Sequence, residues 1–162
     1  MEKRLNLYMA SPLGFTEEGR LYYKTVLLRK AMELEGVNVL DPWEMDSKKK
    51  EKEDKKHVLS KCEAMEIGGR NFYLIDISHV VLANLNGTDP DSGTCIEIGY
   101  AAHARKLVVG YRTDYRMAGE VDGMKVNLQV ESAIRRSGGA VFDTLEKSLS
   151  FIREWKEHKY GE

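Results

Sequence analysis

The chain has 162 residues, 42% of them apolar and 31% charged, which are the proportions of one ordinary globular domain over residues 1–162 and exclude a disordered or membrane-embedded chain. Its 25 basic and 26 acidic side chains leave a formal net charge of -1, so no overall field draws in a nucleic-acid polymer or an anionic membrane. No stretch approaches the roughly 18 apolar residues of a membrane span, and the apolar run in MEKRLNLYMASPLG is too short for a signal peptide; a cytoplasmic location is expected.

Leu5 to Ala10 reads as a first strand, turned by SPLGF, with Thr16 as the N-cap of a following helix. Leu21, Tyr22, Val26, Leu27, Ala31 and Leu34 keep helical spacing, and Gly36 stands where a C-terminal cap belongs. Val37 to Leu40 is a short second strand closed by Asp41, Pro42 and Trp43. The unbroken charged run Lys48 to Lys56 is expected to face solvent, as a loop, a helix face or a lid. A helix over Lys61 to Leu74 leads to HVVLANL, His79 to Leu85, an apolar and β-branched run of the kind found in buried parallel strands.

Asn86 to Thr94 is rich in turn residues, Cys95 to Arg105 reads as a helix, and Leu107 to Tyr111 as a fourth strand. After the loop TDYRMAGEVDG come a helix from Lys125 to Arg136, a Gly138-Gly139 cap, a short strand from Ala140 to Phe142 and a last helix from Leu145 to Trp155. Such alternation predicts an α/β fold, an open parallel sheet of about five strands with helices on both faces, whose ligand sits beyond the carboxyl ends of the strands. The site should therefore lie where SPLGF, DPWE and NGTDPDSGT converge.

Neither GxGxxG nor GxxxxGK[ST] occurs, so the usual dinucleotide and P-loop signatures are absent. Cys62 and Cys95 lie in neither CxxC nor zinc-ligand spacing, and His57, His79, His103 and His158 form no ligand pattern. No metal or other cofactor is expected. The chemistry concentrates instead in DSGTCIEIGYA, Asp91 to Ala101, where Glu97 interrupts an apolar run. With a helix starting near Ser92, Glu97 falls in its first or second turn, and Asp91 could face the same cleft. Either Glu97 points to solvent, or it is kept as a nucleophile that the helix N-terminus helps to hold anionic. Gly93 and Gly99 permit close approach of backbone or ligand, and Ala101, Ala102 and Ala104 suit tight packing on the sheet.

LYMASPLGF, RNFYLIDISHVVLANL, GTDPDSGTCIEIGYA and VNLQVESAI, in this order and spread over nearly the whole chain, resemble the nucleoside 2-deoxyribosyltransferases. The resemblance implies a flavodoxin-like, Rossmann-like doubly wound fold and a retaining, two-step exchange of the base on a 2′-deoxynucleoside for another free purine or pyrimidine, as in nucleoside salvage. By the same resemblance Glu97 is the nucleophile that forms a covalent deoxyribosyl-enzyme, Asp91 positions the deoxyribose, and Tyr8 orients the nucleophile. Two substitutions at one carbon preserve its configuration, and ping-pong kinetics follow.

Asn71 falls at the position that faces the base, where an amide cannot serve as general acid. His79 stands where relatives carry an aspartate, and is expected to cap or pack. Asn127 and Gln129 match a segment that reaches into a neighbouring subunit's pocket, which implies a homo-oligomer with shared sites. Phe15 and Trp43 are candidates to stack on the base, and Gly93 to admit substrate. Two rivals stand beside the transferase: a deoxynucleoside or 5′-deoxynucleotide N-glycosidase, in which water replaces the acceptor base, and a non-catalytic nucleoside-binding domain.

Overall fold

The computed structural model describes residues 4–44 and 59–161; the charged run Lys48 to Lys56 lies outside them. Five strands, β1 (Leu5–Ala10), β2 (Val37–Leu40), β3 (Val80–Asn84), β4 (Leu107–Tyr111) and β5 (Val141–Phe142), form one sheet in the order β2-β1-β3-β4-β5. All pairs are parallel, the flavodoxin-like arrangement. β3 and β4 are buried throughout, because helices cover both faces and leave no wet side on which polar residues would alternate.

Alternate residues divide the core in two. Leu5, Leu7, Met9, Leu82 and Val109 pack on one face with Tyr23, Leu27, Leu149 and Ile152, whereas Tyr8, Ala10, Val81, Ala83 and Val108 pack on the other with Ile75, Ile98 and Ile134. The first face is covered by α1 and α5, and the second by α2, α3 and α4. Helix α1 comprises Glu17–Tyr22, a π-helical turn at Tyr23–Leu27, and Leu28–Met32. The others are α2 (Lys61–Asp76), α3 (Ser92–His103), α4 (Leu128–Arg136) and α5 (Leu145–Tyr160).

Local chemistry sets the helix starts. Thr16 Oγ1 accepts from the Gly19 N–H at 3.0 Å, and Ser60 with Glu63 forms a reciprocal capping box on α2. Gly36, at φ +64°, turns the chain into β2 in the left-handed conformation that glycine adopts without cost. Helix α4 begins at Leu128 and not at Lys125, because Asn127 is its N-cap and accepts from the Gln129 N–H at 2.9 Å.

Of the apolar face expected for α1, Leu27, Ala31 and Leu34 are buried, and only its first turn differs: Leu21 and Tyr22 are exposed, while Tyr23 is 2% exposed. The buried positions Gly19, Tyr23, Leu27 and Ala31 recur every four residues, a spacing that drifts off one face of a regular α-helix. The wider π turn, closed by the Leu28 N–H on the Tyr23 carbonyl, brings them back into line. Among the described residues, no helix is long and apolar enough to cross a membrane.

Candidate active site at the carboxyl edge of the sheet

At the carboxyl ends of β1, β2 and β3 the SPLGF and DPWE loops meet beside the end of β3, which leads into the third predicted loop. The Trp43 indole Nε1 donates to the Ser11 carbonyl at 3.1 Å, joining SPLGF to DPWE. The Asn84 side chain, at the end of β3, donates to Ser11 Oγ at 3.4 Å. This is the point from which β1 connects outward to β2 on one side and neighbours β3 on the other, where doubly wound sheets open a crevice.

Helix α3 brings Glu97 into this crevice. Thr94, Ile98 and Ala101 form its buried stripe, and Glu97, three residues after Thr94 and four before Ala101, shares that face. Its neighbour Ile96 takes the outward position and is 61% exposed. Glu97 thus shares the inward side with Ile98 and is half-buried, while Ile96 faces out. The Tyr8 hydroxyl donates to Glu97 Oε1 at 2.6 Å, across 89 residues of sequence. Tyr8 is fully buried in β1 between Leu40 and Val81 of the flanking strands.

Burial pushes the Glu97 carboxyl up to about 7, against the Tyr8 hydrogen bond, which favours the anion, and with a smaller upward push from the Asp91 charge. The expectation that the helix N-terminus holds Glu97 anionic is therefore corrected. Glu97 is the sixth residue of a helix that begins at Ser92, beyond the first turn in which the dipole acts, and desolvation prevails. The Tyr8 hydroxyl is raised far above its ordinary range by burial and by Glu97, so it stays protonated and remains a donor.

Asp91 is the N-cap of α3: its Oδ2 accepts from the Thr94 N–H at 2.9 Å and from the Thr94 hydroxyl at 3.3 Å. At Gly93 a β-carbon would stand 3.1 Å from that oxygen, so its lack of a side chain leaves the Asp91 carboxylate room. Asn71 lies one helical turn before Ile75 on the buried face of α2, and its amide oxygen is buried with no hydrogen-bond partner among the described residues. An acceptor left unsatisfied in this way is the kind that a ligand N–H completes.

Phe15 and Trp43 meet edge to face with ring centroids 4.9 Å apart, and Phe15 is 72% exposed. His79 is remote from these groups. It sits at the amino end of β3, where its Nδ1 accepts from the Asn6 N–H at 3.0 Å, a packing role. Asn127 and Gln129 stand at the start of α4; the Asn127 amide also donates to Glu120, whose other oxygen accepts from the Leu128 N–H at 2.8 Å. No group of His, Cys, Asp and Glu among the described residues is disposed to hold a metal ion. A cavity of about 410 Å³ lined by Asn86, Thr113, Asp114, Tyr115 and Arg116 lies at the ends of β3 and β4, and neither Glu97 nor Tyr8 lines it.

Sequence reasoning passed over Tyr23, whose hydroxyl donates to Asp41 Oδ1 at 2.7 Å, and Ser11 as a junction. The signal for Tyr23 was present in the four-residue repeat of α1. Ser11 carried none, because its partners come from β2 and β3.

A search by sequence among curated proteins returns no match. Among solved structures, the chain resembles the 2-deoxyribosyltransferase of Leishmania mexicana at 26% identity and TM-score 0.68, covering 93% of this chain and 97% of that one. It shares its fold with a conserved protein of Enterococcus faecalis V583 (23% identity, TM-score 0.69, covering 94% and 99%). The same holds for the 2-deoxyribosyltransferase of Bacillus psychrosaccharolyticus (15% identity, TM-score 0.64, covering 96% and 95%). The family model for nucleoside 2-deoxyribosyltransferase matches residues 7–129, a segment that begins just before Tyr8, takes in Asp91 and Glu97 and ends at Gln129, and the chain belongs to that family.

Proposed function

We propose that this protein exchanges the base of a 2′-deoxynucleoside for another free purine or pyrimidine through a covalent intermediate on Glu97. The observation that carries the reading is the half-buried Glu97 carboxyl held at 2.6 Å by the Tyr8 hydroxyl in the family-matched segment. In the first step a Glu97 oxygen attacks the anomeric carbon, the N-glycosidic bond breaks with its electron pair going to the base, and the base takes up a proton. In the second, a nitrogen of the incoming base attacks the same carbon and loses its proton, and the ester bond breaks to regenerate the carboxylate. Each step inverts the carbon, so configuration is retained overall.

Burial supports this role in two ways. A carboxylate whose pKa is about 7 is a stronger nucleophile, once ionised, than one in water, and it remains substantially ionised at neutral pH. Tyr8, kept protonated, fixes one oxygen and leaves the other to attack. Asp91 positions the deoxyribose, Gly93 admits it, Asn71 pairs with the base edge, and Phe15 and Trp43 stack on the ring. A 2′-deoxy sugar lacks the electron-withdrawing hydroxyl at C2, so positive charge develops at its anomeric carbon without metal assistance.

Asn127 and Gln129 complete the sugar site of a neighbouring copy in a homo-oligomer. The exposed Met117, Val121 and Leu128 beside them support a covered surface at this end of α4. A free 5′-hydroxyl fits the reading better than a 5′-phosphate, since the residue proposed to meet it is the neutral Asn127 amide. Incubation with deoxyinosine and adenine tests the reading: deoxyadenosine is the expected product, and deoxyribose with no deoxyadenosine would replace transfer by hydrolysis.

A further inference from the structure

Beside the Tyr8–Glu97 pair lies a second buried acid and phenol that the proposed chemistry does not use. Asp41, 9% exposed, ends β2. Its Oδ1 accepts from the Tyr23 hydroxyl at 2.7 Å and from the Trp43 N–H at 2.9 Å. The second bond closes a local turn of the kind that aspartate makes with the residue two places on. Burial raises the Asp41 carboxyl, and the groups that lower it among the described residues are Tyr23 and the Trp43 and Glu44 N–H groups.

A carboxylate sunk in protein is costly, and this one is fastened to the Tyr23 phenol and to the backbone at Trp43 and Glu44. Trp43 is pinned from two further directions. Its indole N–H is tied to Ser11, and its ring lies on the Gly14 backbone so closely that a β-carbon there would come within 2.2 Å of the ring. Phe15 then meets the indole edge-on. Tyr23, at the start of the π turn, faces Asp41 while Tyr22 is exposed, and π turns recur at functional sites.

We propose that Tyr23 and Asp41 are positioning residues that fix the Trp43 indole as one wall of the base pocket and so govern affinity for the nucleobase, leaving the Glu97 step itself unchanged. This rests on the reading of Phe15 and Trp43 as the stacking surface. The sequence holds two tryptophans, so a Trp155→Phe background leaves Trp43 as the single indole reporter in the full chain. In that background Tyr23→Phe, which deletes only the hydroxyl, and Asp41→Ala are compared with Asp41→Asn, which keeps an acceptor oxygen for both donors.

The expected result is a red-shifted Trp43 emission of lower anisotropy in Tyr23→Phe and Asp41→Ala. Quenching of that emission by adenine or cytosine should weaken about fivefold, the loss of one hydrogen bond, and Asp41→Asn should restore both signals. In base exchange, the KM for the acceptor base rises by a similar factor while kcat changes less than twofold. Gly14→Ala, whose β-carbon would collide with the Trp43 ring, should reproduce the effect with Tyr23 and Asp41 intact. Wild-type emission and base quenching in Tyr23→Phe or, should that variant not fold, in Asp41→Ala, would overturn the proposal, as would a loss confined to kcat. Failure of the wild-type protein to exchange bases overturns the transferase reading alone, since the Trp43 signal is read without turnover and still decides the role of the pair.

Discussion

The Tyr8–Glu97 and Tyr23–Asp41 pairs have nearly the same hydroxyl-to-carboxylate distance, 2.6 and 2.7 Å, yet they differ in what else surrounds the acid. Asp41 is closed off: the oxygen that meets Tyr23 also accepts from the Trp43 backbone, and the side chain belongs to a turn that cannot move without moving β2. Glu97 projects from a helix, and Tyr8 is the one hydrogen-bond donor that reaches it among the described residues. Burial raises both carboxyls. The difference teaches that a buried acid is fitted for chemistry by what is left unpaired on it, whereas an acid whose oxygen is shared between two donors is fitted for holding position.

The comparison breaks most sharply at Glu97. Glu97→Gln should fold yet lose at least about a thousandfold in base exchange, as expected when a covalent nucleophile is removed. The deoxyribosyl adduct found by mass spectrometry on the peptide carrying residue 97 should vanish with it. An adduct that persists in this variant would move the nucleophile elsewhere. Tyr8→Phe should lower kcat/KM by about 10- to 100-fold, the range for a hydrogen bond to a charged group. Exchange by the wild-type protein should rise with pH through about 7. In Tyr8→Phe that inflection should lie higher, because the bond that favours the anion is gone.

Stability offers a test independent of turnover. The Glu97 carboxyl is displaced from 4.5 to about 7 on folding, so between these values the folded chain holds a proton that the unfolded chain has released. Stability from this group is complete below pH 4.5 and is lost as pH rises through about 7. Glu97→Gln escapes that loss and should be more stable than wild type at pH 8 by up to roughly 3 kcal/mol, with little difference at pH 4, as read by urea denaturation.

The smallest effect separates two roles of Asp91. Asp91→Asn retains a good cap, while Asp91→Ala should lose about 1 kcal/mol. Both remove a charge that raises the Glu97 carboxyl and should shift the pH inflection slightly downward. If Asp91 also positions the sugar, exchange falls in Asp91→Asn at undiminished stability; unchanged exchange would leave it as a helix cap only.

Much of the fold was legible residue by residue. β1, β2 and β4 occur at the predicted bounds; β1 and β2 each run into a Pro turn, and β4 into the polar Arg112, Thr113 and Asp114. The start of α4 was misplaced because Asn127 was read as part of the helix, whereas its side chain caps it. In α1 the expected Leu27, Ala31 and Leu34 are buried, but in the first turn Tyr23 takes the inward place instead of Leu21 and Tyr22, next to a π turn that regular spacing does not foresee.

Patterning along the chain was enough for the doubly wound class, the crevice end of the sheet, and Glu97 and Asp91 as groups to examine, while Tyr8 came only from the family resemblance. Local patterning and motif spacing are properties of neighbours along the chain. Only the tertiary structure decided that Glu97 turns inward while Ile96 turns out, that Tyr8 and Glu97, 89 residues apart, meet at 2.6 Å, and that Asp41 binds Tyr23 and Trp43 together. It also decided the balance at Glu97, where burial outweighs the helix N-terminus. Desolvation depends on every element packed around a group, and those elements come together only when the chain folds.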